Sequence, residues 1–248
     1  MRRLMIIPAA GIGSRLGSPI PKVLYPVNGR PMIDYLLDLY AHLVERFILV
    51  LNPASQAEAR RYCAASRLRI EYEIQESQTG MLDAILIPGA RVREHRPESV
   101  WITWCDQIAI RPETVRRLAD LSDRDREAAV ILPTMLRDEP YIHFVKDDQG
   151  EIVRILHRRE GDPMPERGEG DIGLFCLTPD AYFNLLPRFS DQVEKGAATR
   201  ERNFLPFLPW LRGRAKVRRF PAHHEIESIG VNAPDDLSRV ESYLRNED

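Results

Sequence analysis

The first half of the chain alternates between two hydrophobic patterns. Short continuous apolar runs are typical of strands buried on both faces of a parallel sheet. Such runs fall at 4–7, 47–51, 70–74, 100–104 and 128–132. Between them, apolar residues recur at helical spacing over 31–43, 55–65, 81–87 and 112–121. Strands that alternate with helices predict βαβ units, and therefore an α/β fold with helices on both faces of a mainly parallel sheet.

The second half of the chain predicts shorter, more mixed elements. Strands over 141–146 and 151–157 flank Asp147-Asp148-Gln149-Gly150, a sequence typical of a hairpin turn. The elements predicted after this hairpin are a loop over 158–169, a strand over 171–177, a helix over 179–186, short strands over 217–220 and 226–229, and a closing helix over 233–244. We therefore expect one domain, 1–248, in which a small β-rich lobe joins the main sheet through a mixed second part.

Composition and charge narrow the class of protein. The chain has 248 residues, 29% of them charged, and a net charge of −2, so no field of one sign suggests binding to nucleic acid or to a membrane. The apolar run at 4–7 ends at Pro8 and is too short for a secretory signal. Cys63, Cys105 and Cys176 fit neither a disulfide framework nor a zinc site. These features predict a cytoplasmic protein with reduced thiols.

The strongest motif follows the first predicted strand. Pro8-Ala9-Ala10-Gly11-Ile12-Gly13-Ser14-Arg15-Leu16 leads to Pro21-Lys22. Glycines allow backbone N–H groups to approach a phosphate closely. Arg15 adds a planar guanidinium that can bind two phosphate oxygens, and Lys22 adds a compact ammonium charge. Lys22 is one of only four lysines in the chain. The Walker pattern is absent, as is the further glycine of a dinucleotide fingerprint. The motif predicts a loop that binds a triphosphate.

The segment 8–32 resembles the signature of the sugar-phosphate nucleotidyltransferases, and most of all the uridyltransferase domain of bacterial N-acetylglucosamine-1-phosphate uridyltransferase. Arg15 and Lys22 stand at the spacing of that domain, and Val23 to Met32 resembles its continuation. The resemblance implies a Rossmann-like nucleotidyltransferase fold, Mg²⁺ as cofactor and an NTP donor. It implies that 1–135 binds the NTP, and that 136–248 binds the acceptor and closes the site.

The resemblance also implies roles for individual residues on the donor side. Arg15 and Lys22 would be catalytic and hold the phosphates. The nucleotide-binding set would be Pro8, Ala9, Ala10, Gly11, Gly13, Ser14, Gln75, Thr79, Gly80 and Cys105. A carboxamide such as Gln75 offers a donor and an acceptor to a base edge. The Gln-to-Gly spacing favours a pyrimidine and leaves UTP, TTP and CTP open.

Two further residues are candidates for metal binding. Asp106 directly follows a predicted strand, and ligands of open α/β sheets bind at the carboxyl ends of strands. A turn or helix cap is the alternative role for Asp106, and a helix cap is the alternative for Asn232, which precedes Ala233-Pro234. The resemblance implies that Asp106 and Asn232 together hold Mg²⁺.

The acceptor side resembles the family less closely. The resemblance implies acceptor-binding roles for His157, Asp171 and Gly173, but Asp171 stands where that uridyltransferase has Asn, and His157 stands where it has Glu. A glycine expected near 141–143 is also missing. The expected partners are an NTP and a phosphorylated small molecule, and a homo-oligomer is possible.

Three functions follow from these residues. The first is transfer of NMP from a pyrimidine NTP to a sugar 1-phosphate. The alternatives are cytidylyl transfer to a phospho-alcohol or phosphonate, and a non-catalytic nucleotide-binding regulator. A glycosyltransferase is disfavoured because Asp106-Gln107-Ile108 lacks the Asp-x-Asp metal motif. Acetyltransferase activity is not expected, because no hexapeptide repeat occurs.

Overall fold

The computed structural model describes residues 1–11, 16–18 and 20–247. In these ranges the strands are β1 (Arg3–Pro8), β2 (Pro26–Val27), β3 (Arg30–Pro31), β4 (Arg46–Leu51), β5 (Ile70–Ile74), β6 (Ser99–Thr103), β7 (Ala128–Asp138), β8 (Ile142–Lys146), β9 (Ile152–His157), β10 (Arg167–Asp171), β11 (Leu174–Leu177) and β12 (Lys216–Pro221). The α-helices are α1 (Met32–Tyr40), α2 (Gln56–Cys63), α3 (Met81–Leu86), α4 (Gly89–His95), α5 (Pro112–Arg124), α6 (Leu186–Ser190), α7 (Phe207–Trp210) and α8 (Pro234–Glu247).

One eight-stranded sheet organises the described part of the molecule. Its order is β10-β7-β11-β6-β1-β4-β5, with β12 beside β7. The pairs β1–β4, β1–β6, β4–β5 and β7–β12 are parallel, while β11 runs antiparallel to both β6 and β7, and β10 antiparallel to β7. The predicted mixed, mainly parallel sheet is therefore confirmed.

Helices cover both faces of this sheet because its central strands are apolar on both sides. Along β1, Met5 and Ile7 belong to one core cluster, and Leu4 and Ile6 belong to the other. All four are at most 2% exposed. The first cluster packs beneath α1 and α5, and the second beneath α3 and α6. This alternation explains the continuous apolar runs in the sequence.

The predicted hairpin forms β8 and β9, which pair antiparallel in a two-stranded sheet of their own. The Asp147 carboxylate accepts hydrogen bonds from the backbone N–H groups of Gln149 (3.0 Å) and Glu151 (2.9 Å) and closes the turn. This hairpin is the small β-rich lobe. It lies against β10, at the edge of the main sheet.

Two predicted strands are wrong in detail. The strand predicted over 171–177 contains only Asp171, the last residue of β10, and then β11, with a break at Gly173, where φ is +76°. The strand β10 begins at Arg167, inside the loop that was predicted over 158–169. The strand predicted over 226–229 is a 3₁₀ turn, Glu225–Ser228. Buried Glu227 accepts hydrogen bonds from the N–H groups of His223 and His224, and a capping box of this kind starts a helical turn rather than a strand.

The parallel strands all end at the same edge of the sheet. Asn52 follows β4, Gln75 follows β5 and Asp106 lies three residues beyond β6. In open α/β sheets this carboxyl edge is the place where ligands bind. Across the described residues, no helix has the length and apolar content that a membrane crossing needs.

Candidate functional site

A cavity of about 990 Å³ opens at the carboxyl edge of the sheet. Its wall contains most of the residues predicted from the sequence: Pro8, Ala10, Gly11, Lys22, Gln75, Gly80, Cys105, Asp106, His157, Asp171 and Asn232. Because β6 lies between β1 and the β7–β10 side of the sheet, Asp106 stands between a half bounded by the glycine loop and a half bounded by the hairpin.

Lys22 lies in this wall within reach of both predicted metal ligands. Its Nζ donates to Asp106 Oδ2 at 2.5 Å and to Asn232 Oδ1 at 2.8 Å. The Lys22 and Asp106 side chains are only 11% and 12% exposed. Residues from three distant parts of the chain therefore meet around one cation. At the start of α8, the Asp236 carboxylate accepts the N–H groups of Asn232 (3.2 Å) and Ala233 (2.9 Å).

The backbone holds the two oxygen donors close together. The N–H of Val231 donates to the carbonyl of Asp106 at 3.0 Å, which ties the segment before α8 to the end of β6. Gly230 leaves the space that this approach needs. A Cβ at that position would lie 3.0 Å from Asp106 Cγ and 3.1 Å from Asn232 Nδ2.

These residues fit a magnesium ion. A carboxylate and an amide oxygen already converge on a positive charge, and Mg²⁺ is commonly bound by one or two protein oxygens together with substrate phosphates and water. No cluster of three His, Cys, Asp or Glu that could form a closed protein cage occurs among the described residues. Asp106 and Asn232 would hold the ion.

The loop that follows β1 is held from two sides. The carbonyl of Ala10 accepts hydrogen bonds from Asn52 Nδ2 at 2.9 Å and from Gln78 Nε2 at 3.4 Å. Asn52 was not predicted from the sequence. It directly follows β4, as Gln75 directly follows β5, and this position is the signal that could have identified it. The predicted residues Gly13, Ser14 and Arg15 lie outside the described ranges.

Gln75 and Gly80 line the donor half of the cavity, and they are bonded to each other. Gln75 Nε2 donates to the carbonyl of Gly80 at 3.1 Å and to Thr79 Oγ1 at 3.3 Å, so the predicted base-reading amide nitrogen shapes the loop before α3. Thr79 lies behind the wall, where its carbonyl accepts the N–H of Arg202 at 2.7 Å.

Two other residues of the predicted nucleotide set are largely buried. Ala9 is 3% exposed and donates its N–H to the carbonyl of Val50 at 2.7 Å, which extends the pairing of β1 with β4. Cys105 contributes to the cavity wall but is only 7% exposed, and burial raises the pKa of its thiol to about 12. A thiol in this environment stays protonated and packs against its neighbours.

The hairpin supplies His157 and Arg158 to the acceptor half. His157 is half-buried, packs edge-on against Tyr141 with ring centroids 5.2 Å apart, and donates its backbone N–H to Asp162 at 2.9 Å. Burial lowers the pKa of its imidazole below the usual 6.5, although Glu160 and Asp162 act in the opposite direction. We therefore expect a neutral His157 at neutral pH.

Asp171 reaches the same half of the cavity from the end of β10. Its Oδ2 accepts the N–H of Gly173 at 2.9 Å, and the side chain of Trp104 also bonds to the carboxyl. Burial, with a smaller contribution from Asp106, raises the pKa of Asp171 to about 6. Gly173 itself lies behind the wall, and a Cβ there would meet the Trp104 ring at 2.4 Å and Gln107 Cγ at 2.6 Å.

A segment that the sequence did not indicate closes the cavity on its far side. The Glu160 carboxylate accepts hydrogen bonds from the N–H groups of Ala198 (2.9 Å) and Thr199 (3.2 Å) and from Asn203 Nδ2 (3.0 Å). Gly196, Glu201 and Asn203 of this segment line the cavity. We call residues 196–203 the strap. The sequence contained only a charged, glycine-containing stretch here, which gives no indication of its distant partner.

The sequence and the fold match a known class of enzyme. A family model for the MobA-like NTP transferase domain matches residues 5–168. The bifunctional protein GlmU of Desulfotalea psychrophila is 27% identical over 97% of this chain and 70% of its own length. GlmU of Pelotomaculum thermopropionicum is 26% identical over 97% of this chain and 51% of its own length. The chain thus spans between about half and 70% of these two relatives.

Solved structures share the fold at lower identity. A Bacillus anthracis protein assigned as a glucose-1-phosphate thymidylyltransferase, in complex with sucrose, has a TM-score of 0.80 and 14% identity over 98% of this chain and 96% of its own. A CMP:2-keto-3-deoxy-manno-octonic acid synthetase complexed with CTP has a TM-score of 0.72 and 17% identity over the whole of both chains. Both confirm the Rossmann-like nucleotidyltransferase fold.

The sheet, the cavity at its carboxyl edge and these similarities define an enzyme of the nucleotidyltransferase class. Within that class, the chain belongs to the MobA-like NTP transferase domain family.

Proposed function

We propose that this protein transfers a nucleoside monophosphate from a pyrimidine NTP to a sugar 1-phosphate and releases pyrophosphate. The observation that carries the proposal is the Lys22 ammonium, held by Asp106 and Asn232 between the two halves of one cavity. An enzyme that joins two phosphorylated substrates must bring two anions together. Cationic and metal-binding groups at the junction of the cavity halves suit that task.

In the proposed reaction, a phosphate oxygen of the acceptor attacks the α-phosphorus of the NTP. The new P–O bond forms as the bond to pyrophosphate breaks, so no nucleophilic side chain is required. Lys22 would stabilise the negative charge that develops on the leaving pyrophosphate, with Arg15 as its proposed partner. Mg²⁺ held by Asp106 and Asn232 would neutralise phosphate charge when bound.

The comparisons and the position of Gln75 support a pyrimidine as the base of the donor. The similar structures include one named as a thymidylyltransferase and one complexed with CTP, which suits a pyrimidine donor. Gln75 lies in the donor half of the cavity, where its carboxamide can face a base edge through its oxygen while its nitrogen holds Gly80.

The test is a matrix of UTP, CTP, TTP, ATP and GTP against sugar 1-phosphates and phospho-alcohols, with Mg²⁺, in which pyrophosphate release is measured. We expect release with a pyrimidine NTP and only with a phosphorylated acceptor. Release with a phospho-alcohol alone would favour the cytidylyltransferase alternative. Nucleotide binding without release in any combination would contradict an enzymatic function and favour a regulator.

A further inference from the structure

The acceptor half of the cavity contains a carboxylate that forms no ion pair with any cation in the described part of the chain. Asp171 accepts hydrogen bonds from the N–H of Gly173 and from Trp104, and no Lys, Arg or His of the described ranges forms an ion pair with it. Two other carboxylates of the same wall have cationic partners. Asp106 pairs with Lys22, and the Asp162 carboxylate pairs with Arg154.

Three arginines that line this half of the cavity form hydrogen bonds or ion pairs with groups other than Asp171. Arg137 Nη1 donates to the carbonyl of Ser228 at 3.3 Å, and Arg158 Nη2 donates to the carbonyl of Pro140 at 3.2 Å. Arg159 pairs with Glu201 at 3.5 Å. None of these three arginines therefore forms an ion pair with Asp171.

The position of Asp171 is fixed by the backbone. Its strand partner is Thr134 of β7, and the break at Gly173 turns the next N–H back onto the carboxylate. Trp104 and Gln107 pack directly over Gly173, so the turn has little room to move. A carboxylate held in this way at the wall of a cavity is prepared for a ligand and costs little further ordering on binding.

A buried carboxylate without a cation is costly unless a partner arrives. Asp106 is close enough to Asp171 to act on it electrostatically, and Asp106 lies where the two phosphates would meet. A group bound at Asp171 therefore belongs to the acceptor, a short distance from the acceptor's phosphate. A second phosphate or carboxylate there would face like charge, whereas an ammonium group would complete an ion pair.

We propose that the acceptor carries an ammonium group as well as its phosphate, and that Asp171, fixed by Gly173 and Trp104, binds this group. The inference rests on the proposed nucleotidyl transfer and specifies its acceptor class. Two kinds of compound have this chemistry, the amino-sugar 1-phosphates and the phosphorylated amino-alcohols. Asp171 would be a specificity-determining residue, because its charge distinguishes such an acceptor from one that presents a hydroxyl at the same place.

The test uses acceptor pairs that differ only by an ammonium in place of a hydroxyl. The pairs are glucosamine 1-phosphate with glucose 1-phosphate, and phosphoethanolamine with ethylene glycol phosphate. Pyrophosphate release is measured at neutral pH for each NTP. In one of the two pairs, we expect kcat/KM to be at least about tenfold higher for the ammonium member, which is the effect expected from one hydrogen bond to a charged group. The pair that shows this preference identifies the acceptor as an amino-sugar 1-phosphate or as a phosphorylated amino-alcohol.

Asp171→Asn removes the charge and keeps the shape. It should lower kcat/KM for the ammonium acceptor by about tenfold or more, mainly through KM, and bring the ratio within the pair close to one. Glu139→Gln is the matched control, because Glu139 is an exposed carboxylate at the rim of the same cavity. That variant should keep the wild-type ratio.

The outcomes separate the two proposals. If hydroxyl acceptors release pyrophosphate as well as their ammonium counterparts, the inference about Asp171 is overturned and the transferase function stands. If folded Asp171→Asn keeps the wild-type preference for the ammonium acceptor, the inference about Asp171 is likewise overturned. If that variant does not fold, the ratio of kcat/KM within each acceptor pair for the wild type decides whether the inference holds. If no combination of NTP and acceptor releases pyrophosphate, the proposed function and this inference are both overturned.

Discussion

At the scale of single residues, the site depends on three side chains that meet although they are far apart in sequence. The chain has four lysines, and one of them, Lys22, lies between Asp106 and Asn232. All three were predicted as site residues, Lys22 from the motif after β1, Asp106 from its position after a strand, and Asn232 only through the family resemblance. The sequence did not predict that Lys22 contacts both others directly, since a contact across 210 residues depends on the closing of the whole sheet.

Replacing Lys22 tests its electrostatic role. Lys22→Met keeps much of the length of the side chain but removes the charge, and we expect kcat for pyrophosphate release to fall at least about 100-fold, as for other single electrostatic groups. Lys195→Met is the control, because Lys195 is exposed and lies outside the cavity wall. Turnover within a few-fold of wild type in Lys22→Met would remove Lys22 from the catalytic set.

Gly230 tests the geometry of the same cluster without removing any functional group. The added Cβ of Gly230→Ala would lie 3.0 Å from Asp106 Cγ, so Asp106 or Asn232 must shift by a few tenths of an ångström. We expect kcat to fall about tenfold or more at nearly unchanged thermal stability, since small misplacements are costly in catalysis. Gly89→Ala has open space around its Cβ and should leave kcat unchanged. Equal activity of both variants would show that the cluster tolerates movement.

At the scale of elements, the strap and the hairpin enclose the acceptor half. One side of the strap is attached to Glu160, just after β9. The other side is attached to the loop before α3, where the carbonyl of Arg202 accepts the N–H of Leu82 at 3.0 Å and the N–H of Arg202 donates to the carbonyl of Thr79. Arg202 also pairs with Asp83 at 2.6 Å. The strap thus connects the donor loop with the acceptor lobe, and loosening it should affect the binding of both substrates.

The attachment of the strap to Glu160 should depend on pH. Burial acts to raise the Glu160 pKa, but the hydrogen bonds from Thr199, Ala198 and Asn203 outweigh it and lower the pKa from 4.5 to about 2. The stabilisation is therefore complete above about pH 4.5 and is lost as the pH falls towards 2. We expect Glu160→Gln to lower the free energy of unfolding at pH 6, and the difference from wild type to shrink by pH 3.

Urea denaturation at a series of pH values measures this difference. Glu151→Gln is the control, because Glu151 is exposed and its carboxylate takes no part in the strap. It should match wild type at every pH. A difference between Glu160→Gln and wild type that is the same at pH 3 and pH 6 would contradict the role of the Glu160 charge.

The elements that the sequence failed to predict share a physical reason. The break between β10 and β11 follows from Trp104 and Gln107 packing over Gly173, and the 3₁₀ turn at Glu225–Ser228 follows from capping by buried Glu227. Both are tertiary contacts that override the local pattern. The strands β1, β4 and β6 were predictable because they are buried on both faces, and each therefore appears in the sequence as a continuous apolar run.

At the scale of the whole molecule, one sheet carries both halves of the site. The strand β7 runs from 128 to 138 and so crosses the boundary at 135/136 that separates the proposed donor and acceptor parts. It pairs with β10, β11 and β12, all from the second part. Neither part can complete its edge of the sheet without the other, and we propose that 1–248 is a single domain.

A single domain should unfold in one cooperative step. We expect urea unfolding curves from tryptophan fluorescence and far-ultraviolet circular dichroism to coincide, because a chain with a shared sheet has no stable partly folded state. Two separate transitions, or midpoints that differ between the two probes, would contradict the proposal and indicate that 1–135 and 136–248 fold independently.

The most direct test of the whole account is Mg²⁺-dependent pyrophosphate release by wild type and by Asp106→Asn, measured beside metal-free NTP binding. Asp106 lies between the donor and acceptor halves and holds Lys22, so the account predicts release by the wild type and a loss of at least about 100-fold in the variant, with metal-free NTP affinity retained. Equal release by both proteins, or none by the wild type with any NTP and phosphorylated acceptor, would contradict it.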